Sequence, residues 1–136
     1  MSLSCEEALQ VIAAAQARAR VLGLKVAVAV VDEGGQLQAL ARMDGATPLS
    51  SQIAEAKASG AALLHRDGGS LQQLQQERPA FFTAVDRMAR VPLVPGPGSV
   101  LIKRDGAVLG AVGVSGATPL QDLDCAQAGL GLPTAA

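Results

Sequence analysis

The sequence predicts an α/β fold of the α+β type, in which an antiparallel sheet of about four to five strands is flanked by helices. Two hairpin signatures, Lys25 to Met43 and Ser99 to Ser115, each bracket a Gly-containing turn. Segments of helical spacing lie before, between and after these hairpins, and no strand-helix-strand alternation of the kind that builds parallel sheets is present. A chain of 136 residues matches one domain spanning 1–136, long enough to bury a core without disulfide or metal staples.

The elements follow in order. Ser4-Cys5-Glu6-Glu7 is a capping box, and Ala8, Val11, Ile12, Ala15, Ala19 and Leu22 recur behind it at helical spacing until Gly23 stops the helix. Lys25 to Val31 is apolar on both faces, which suits a central strand covered on both sides. Asp32-Glu33-Gly34-Gly35 turns the chain, and Gln36 to Met43 returns as the second strand. A second helix is predicted from Pro48 to His65, with Ile53, Ala54, Ala58, Ala61 and Leu64 inward and Gly68-Gly69 after its end. Ser70 to Arg90 reads as two short helices parted near Pro79, and the Pro- and Gly-rich stretch Val91 to Gly98 forbids regular structure. Ser99 to Arg104 and Ala107 to Ser115 pair around Asp105-Gly106, a dipeptide suited to a tight two-residue turn. The last helix runs from Pro119 to Gly129.

One pentapeptide occurs twice. Gly45-Ala46-Thr47-Pro48-Leu49 follows the first hairpin and Gly116-Ala117-Thr118-Pro119-Leu120 the second. In each copy Thr is placed to cap a helix and Pro to occupy its first turn, and Thr118 with Gln121 makes a further capping box. Duplication of a hairpin-helix unit and independent use of one good start signal both account for the echo. Either way, each helix start offers free backbone N–H groups to an anion, unless Asp44 or Asp122 satisfies them from inside.

Composition narrows the function. The chain is 49% hydrophobic, yet it holds two Phe and no Trp or Tyr, so the core is packed from small residues. Eleven Lys and Arg against 12 Asp and Glu leave a net charge of −1, which gives no electrostatic reason to bind nucleic acid or an anionic membrane. There is no apolar run of spanning length and no signal-peptide pattern, and a cytoplasmic protein is expected. Cys5 and Cys125 have no zinc-site spacing and are expected to be two buried thiols in a reducing compartment.

The segments Val30-Val31-Asp32 with Gly34-Gly35, Arg42-Met43-Asp44-Gly45, Lys57-Ala58, and Gly110 to Gly116 with Gln121-Asp122 resemble, in order and spacing, the GlcG/HbpS-like family, which includes the C-terminal domain of PduO-type proteins. The resemblance covers nearly the whole chain. It implies a profilin-like sheet between helices, assembly into homodimers or larger oligomers, and a small-molecule ligand that in several members is haem. Other relatives look like catabolic enzymes acting on small unsaturated acids. Two departures stand out: Gly98-Ser99 and Leu101 replace the family's Gly-Gly pair and Pro, and Leu123 replaces an acidic residue.

The candidate ligand-binding residues are Arg42, Asp44, Lys57, Ser115, Gly116, Gln121 and Asp122. Lys57 falls on the inward face of its helix among alanines, where its ammonium either meets an acid such as Asp32 or Asp122 or holds a carboxylate or haem propionate. Lys57, Asp122 and His65 are the candidates for a catalytic role. His65, the only histidine, is either a helix-end surface residue, a haem axial ligand or an acid/base group, and Met43 is a second candidate iron ligand. Arg42 suits carboxylate recognition, whereas Ser115 has no nucleophile elbow around it and serves as a ligand or cap contact. The first function expected is a small-ligand binding protein with haem or a related tetrapyrrole as ligand. The alternative is a small enzyme moving a proton on a compact unsaturated or amino carboxylic acid, of the isomerase, deaminase or lyase type. Scarce aromatics argue against a porphyrin pocket inside one subunit and favour a site between subunits.

Overall fold

The computed structural model describes residues 2–133. Its elements are α1 (Cys5–Val21), β1 (Ala27–Asp32), β2 (Leu37–Arg42), α2 (Ser50–Leu64), α3 (Gly68–Glu77), α4 (Pro79–Met88), β3 (Ser99–Arg104), β4 (Ala107–Ser115) and α5 (Pro119–Gly129). The four strands form one antiparallel sheet in the order β2-β1-β4-β3.

Ala27 to Val31 of β1 are fully buried because the strand is interior and helices cover both of its faces. On one face, Ile12 and Ala15 of α1 and Cys125 and Ala126 of α5 pack with Val28, Val30, Val112 and Val114. On the other, α2 sets Ala58, Ala61 and Ala62 against Val31, Leu101 and Ala111, and Ala54 against Ala27 and Ala29. Small residues dominate here for a steric reason. A Cβ at Gly113 would lie 2.2 Å from the Ala54 carbonyl oxygen and 2.8 Å from the Ala58 nitrogen, so α2 rests almost directly on the backbone of β4.

Polar contacts join the layers at their edges. Arg18 of α1 holds Asp124 of α5 through two bonds, Nε to Oδ1 at 2.9 Å and Nη2 to Oδ2 at 3.1 Å. Arg104 pairs with Glu7 of the capping box, tying the end of β3 to the start of α1. On the outer edge of β3, Leu101 donates its N–H to Asp67 Oδ1 at 2.8 Å, so one open donor of an edge strand is closed by the residue that precedes α3.

The second hairpin and last helix match the sequence reading at both ends, with Asp105 (φ 51°) and Gly106 (φ 79°) forming the tight turn. The first GATPL copy differs from its expected role. Thr118 accepts from the Gln121 N–H and closes a reciprocal box, but Thr47 makes no side-chain cap. Its helix begins only at Ser50, whose N–H and hydroxyl both donate to the Thr47 carbonyl, at 3.1 and 2.6 Å. The cause is the residue three positions on: Gln121 reaches back to the Thr118 N–H, whereas the short Ser50 side chain folds onto the turn. The far end of α2 falls where the sequence places it, at His65. His65 itself takes the left-handed cap (φ 52°), while Gly68 opens α3.

Candidate functional site

Five of the seven predicted binding residues gather at one end of the sheet, where β1 begins and β2 and β4 finish. Ala27 at the start of β1 lies opposite Arg42 on one side and Ser115 on the other, which puts Arg42, Ala27 and Ser115 in one row across three strands. Gly116 (φ 132°) follows, pressed so close to β1 that a Cβ there would stand 2.6 Å from the Lys25 carbonyl oxygen.

At the same end, Lys57 reaches from α2 past the sheet margin to Asp122, in the first turn of α5 on the opposite face. Nζ lies 3.1 Å from Asp122 Oδ2 and 3.0 Å from the Val114 carbonyl oxygen. Val114 donates its N–H to the Gly98 carbonyl at 2.8 Å, so the ammonium takes the donor position at the Val114 carbonyl just where the β3–β4 ladder gives out. Gly98 (φ 121°) is required on two counts: its backbone angle disfavours side chains, and a Cβ would lie 2.9 Å from Lys57 Nζ.

Both members of this pair are buried, with side chains 10% and 4% exposed. Burial pushes the Asp122 carboxyl above its usual range, and the Lys57 charge and bond, with the Ala117 N–H at 3.0 Å on Oδ1, only partly pull it back. The start of α5 is therefore capped from within by Thr118, Gln121 and Asp122. Gln121 is spent on that cap. Cys125, one turn further along α5, is pushed up to about 11 by burial and by the negative charges of Asp124 and Asp122.

Arg42 and Asp44 are exposed on the β2 side, where they line a separate cleft of about 340 Å³ with Gln16, Arg20, Lys25 and Met43. His65 is exposed at the far end of α2 and lines none of the clefts described here. A cleft of about 660 Å³ is lined by none of the predicted residues. It lies between α1, β3 and the end of α5, lined by Leu3, Val11, Val100, Ile102 and Leu130, with Glu7, Gln10, Asp67 and Lys103 as its polar side chains. Sequence reasoning missed it because its walls come from elements far apart in the chain. For the smaller cleft a signal existed: Gln16 and Arg20 are four apart and share one face of α1.

The architecture is that of a helix-sheet-helix domain of the α+β class, with open clefts at the sheet margins among the described residues. The chain belongs to the HbpS-like family: a family model described as haem degrading protein HbpS-like matches residues 3–131. Protein GlcG of Escherichia coli (strain K12) is 41% identical over 115 residues, covering 83% of this chain and 81% of that one. The corrinoid adenosyltransferase PduO of Citrobacter freundii is 33% identical over 127 residues, which are 93% of this chain but 38% of PduO. Among solved structures, the PduOC:haem complex aligns with a TM-score of 0.86 at 30% identity, covering 96% of this chain and 94% of that one. HbpS aligns with a TM-score of 0.86 at 29% identity, covering 96% and 89%.

Among the described residues, no iron ligand lines the cleft large enough for a porphyrin. The 660 Å³ cleft is lined by no His, Cys or Met, and Met43 faces the small polar one. Among the described residues there is also no group of three or more His, Cys, Asp or Glu placed to hold a metal ion, and no helix is long and apolar enough to cross a membrane.

Proposed function

We propose that this protein binds a small ligand of the haem or tetrapyrrole class, holding it by apolar contact and by its carboxylates, with no iron ligand supplied by the same subunit. The observation that carries this reading is the likeness to the PduOC:haem complex over nearly the whole of both chains. It is supported by the 660 Å³ cleft, whose volume is within the range of ligand sites and whose apolar floor of Val11, Val100 and Ile102 suits a macrocycle, with Lys103 nearby for a propionate. Self-association belongs to the same reading, since a second copy would cover the open side of the cleft.

The test is a parallel titration of the purified protein with hemin and with iron-free protoporphyrin. Saturable binding of both with similar affinity, weakened by Ala14→Glu on the cleft wall, is the expected result. Flat titrations with both would overturn it.

A second reading is favoured by the buried Lys57–Asp122 pair beside Ser115: an enzyme of the isomerase, deaminase or lyase type acting on a compact unsaturated or amino carboxylic acid. Asp122, its carboxyl lifted by burial, would move the proton while Lys57 holds the acid. Porphyrin titrations that stay flat while small unsaturated acids stabilise the protein against heat, an effect lost in Lys57→Met, would select it.

A further inference from the structure

We infer that the cleft between the C-terminal half of α1 and the exit of β2 is a binding site for a compact dicarboxylate carrying a hydroxyl or amino group. This does not rest on the tetrapyrrole reading, and the cleft is different from the one that would take a macrocycle.

The cleft gathers charge of one sign. Arg20, Lys25 and Arg42 line it together with a single acid, Asp44, in a chain whose cations and acids otherwise nearly balance at 11 and 12. Among the described residues the ion pairs are Arg18–Asp124, Lys57–Asp122 and Arg104–Glu7, and none involves the three cleft cations. Three neighbouring cations repel one another, and a bound dianion removes that repulsion.

The donors are also held in place. Arg42 Nη1 donates to the Ala46 carbonyl at 2.9 Å, which fixes the guanidinium and leaves its remaining N–H groups for a carboxylate. The Lys25 stem lies along Gly45, where a Cβ would meet its Cγ and Cδ at 3.6 Å. Gln16 and Arg20 approach from one face of α1, and half-buried Met43 supplies an apolar side.

The chemistry of the lining selects the ligand. Two arginines and a lysine suit two carboxylates, and the Asp44 carboxylate, which accepts but cannot donate, suits a hydroxyl or ammonium between them. A volume of about 340 Å³ is at the lower end for ligand sites and fits a compact metabolite.

Among the described residues Met43 is the methionine that lines this cleft, while Met88 is 83% exposed on α4. Protein carrying ¹³C-methyl methionine would be titrated with malate, aspartate, succinate and inorganic phosphate at constant ionic strength. The expected result is a saturable shift of the Met43 methyl with malate or aspartate, with Met88 unmoved. Arg42→Gln should weaken that binding roughly tenfold or more, and Asp44→Ala, which removes the acceptor, should abolish the preference over succinate. The thermal midpoints of both variants, read without ligand, verify folding. A Met43 methyl that stays in place, or one that shifts equally with phosphate and succinate, would overturn the proposal.

Discussion

Lys57 and Asp122 meet 3.1 Å apart beyond the end of β4 and so join the helix on one face of the sheet to the helix on the other. The two residues are 65 positions apart in sequence. Their union explains how a lysine can stand among alanines on the inward side of α2: its ammonium has an acid and a carbonyl to receive it where the ladder ends.

Removing one partner leaves the other charge buried. Lys57→Met should therefore destabilise the fold by about 3–5 kcal/mol. Lys57→Met/Asp122→Asn, which keeps an acceptor for the Ala117 N–H but no charge, should recover part of that loss. Urea unfolding of the two variants checks this, and a double variant less stable than Lys57→Met would refute it.

The two GATPL copies should respond differently to the same substitution. Thr118→Ala deletes a capping bond and should cost about 1 kcal/mol, whereas Thr47→Ala removes no side-chain bond from α2 and should be close to neutral. Thermal midpoints of both variants decide the point.

Glycines on opposite sides of the packing should diverge in sign. Gly113→Ala drives a methyl into the α2 backbone and should cost at least about 3 kcal/mol, at or above the upper range of overpacking. Gly69→Ala in the first turn of α3 meets nothing within 4 Å and should stabilise by about 0.5–1 kcal/mol through a more restricted unfolded chain. Chemical denaturation of each measures the two directions.

The two cysteines should separate cleanly, because only Cys125 is buried as expected, while Cys5, at the first position of α1, is exposed. Exposed Cys5 should react with a thiol reagent near pH 8 in the native protein, and Cys125 only after denaturation. Because folding raises the Cys125 pKa from 9.0 to about 11, its contribution to stability is present below the unfolded value and lost as pH rises through the folded one. Cys125→Ala should flatten that alkaline loss, as read from melts between pH 8 and 11.

Local chemistry made much of this fold legible. The Ser4 and Thr118 boxes, the Asp105-Gly106 turn and the two-sided apolar run of β1 each act within a few residues, and each appears where the pattern puts it. The start of α2 was not legible, because Thr-Pro reads alike in both copies while the cap depends on whether Gln or Ser stands three residues later. The sequence also marked Lys57 as an inward cation and named Asp122 as one of two acids that could meet it.

By itself, then, the sequence determined the order of elements, the antiparallel hairpins and a small-residue core, since these follow from periodicity, turn chemistry and side-chain volume. Only the tertiary structure decided which acid Lys57 meets and that Arg42 turns to a cleft with Arg20 and Lys25. It also decided that His65 stands apart and that a cleft of about 660 Å³ opens between α1, β3 and α5. These are distances between residues far apart in the chain, set by how closely alanine and glycine allow the layers to approach, and no local pattern encodes them.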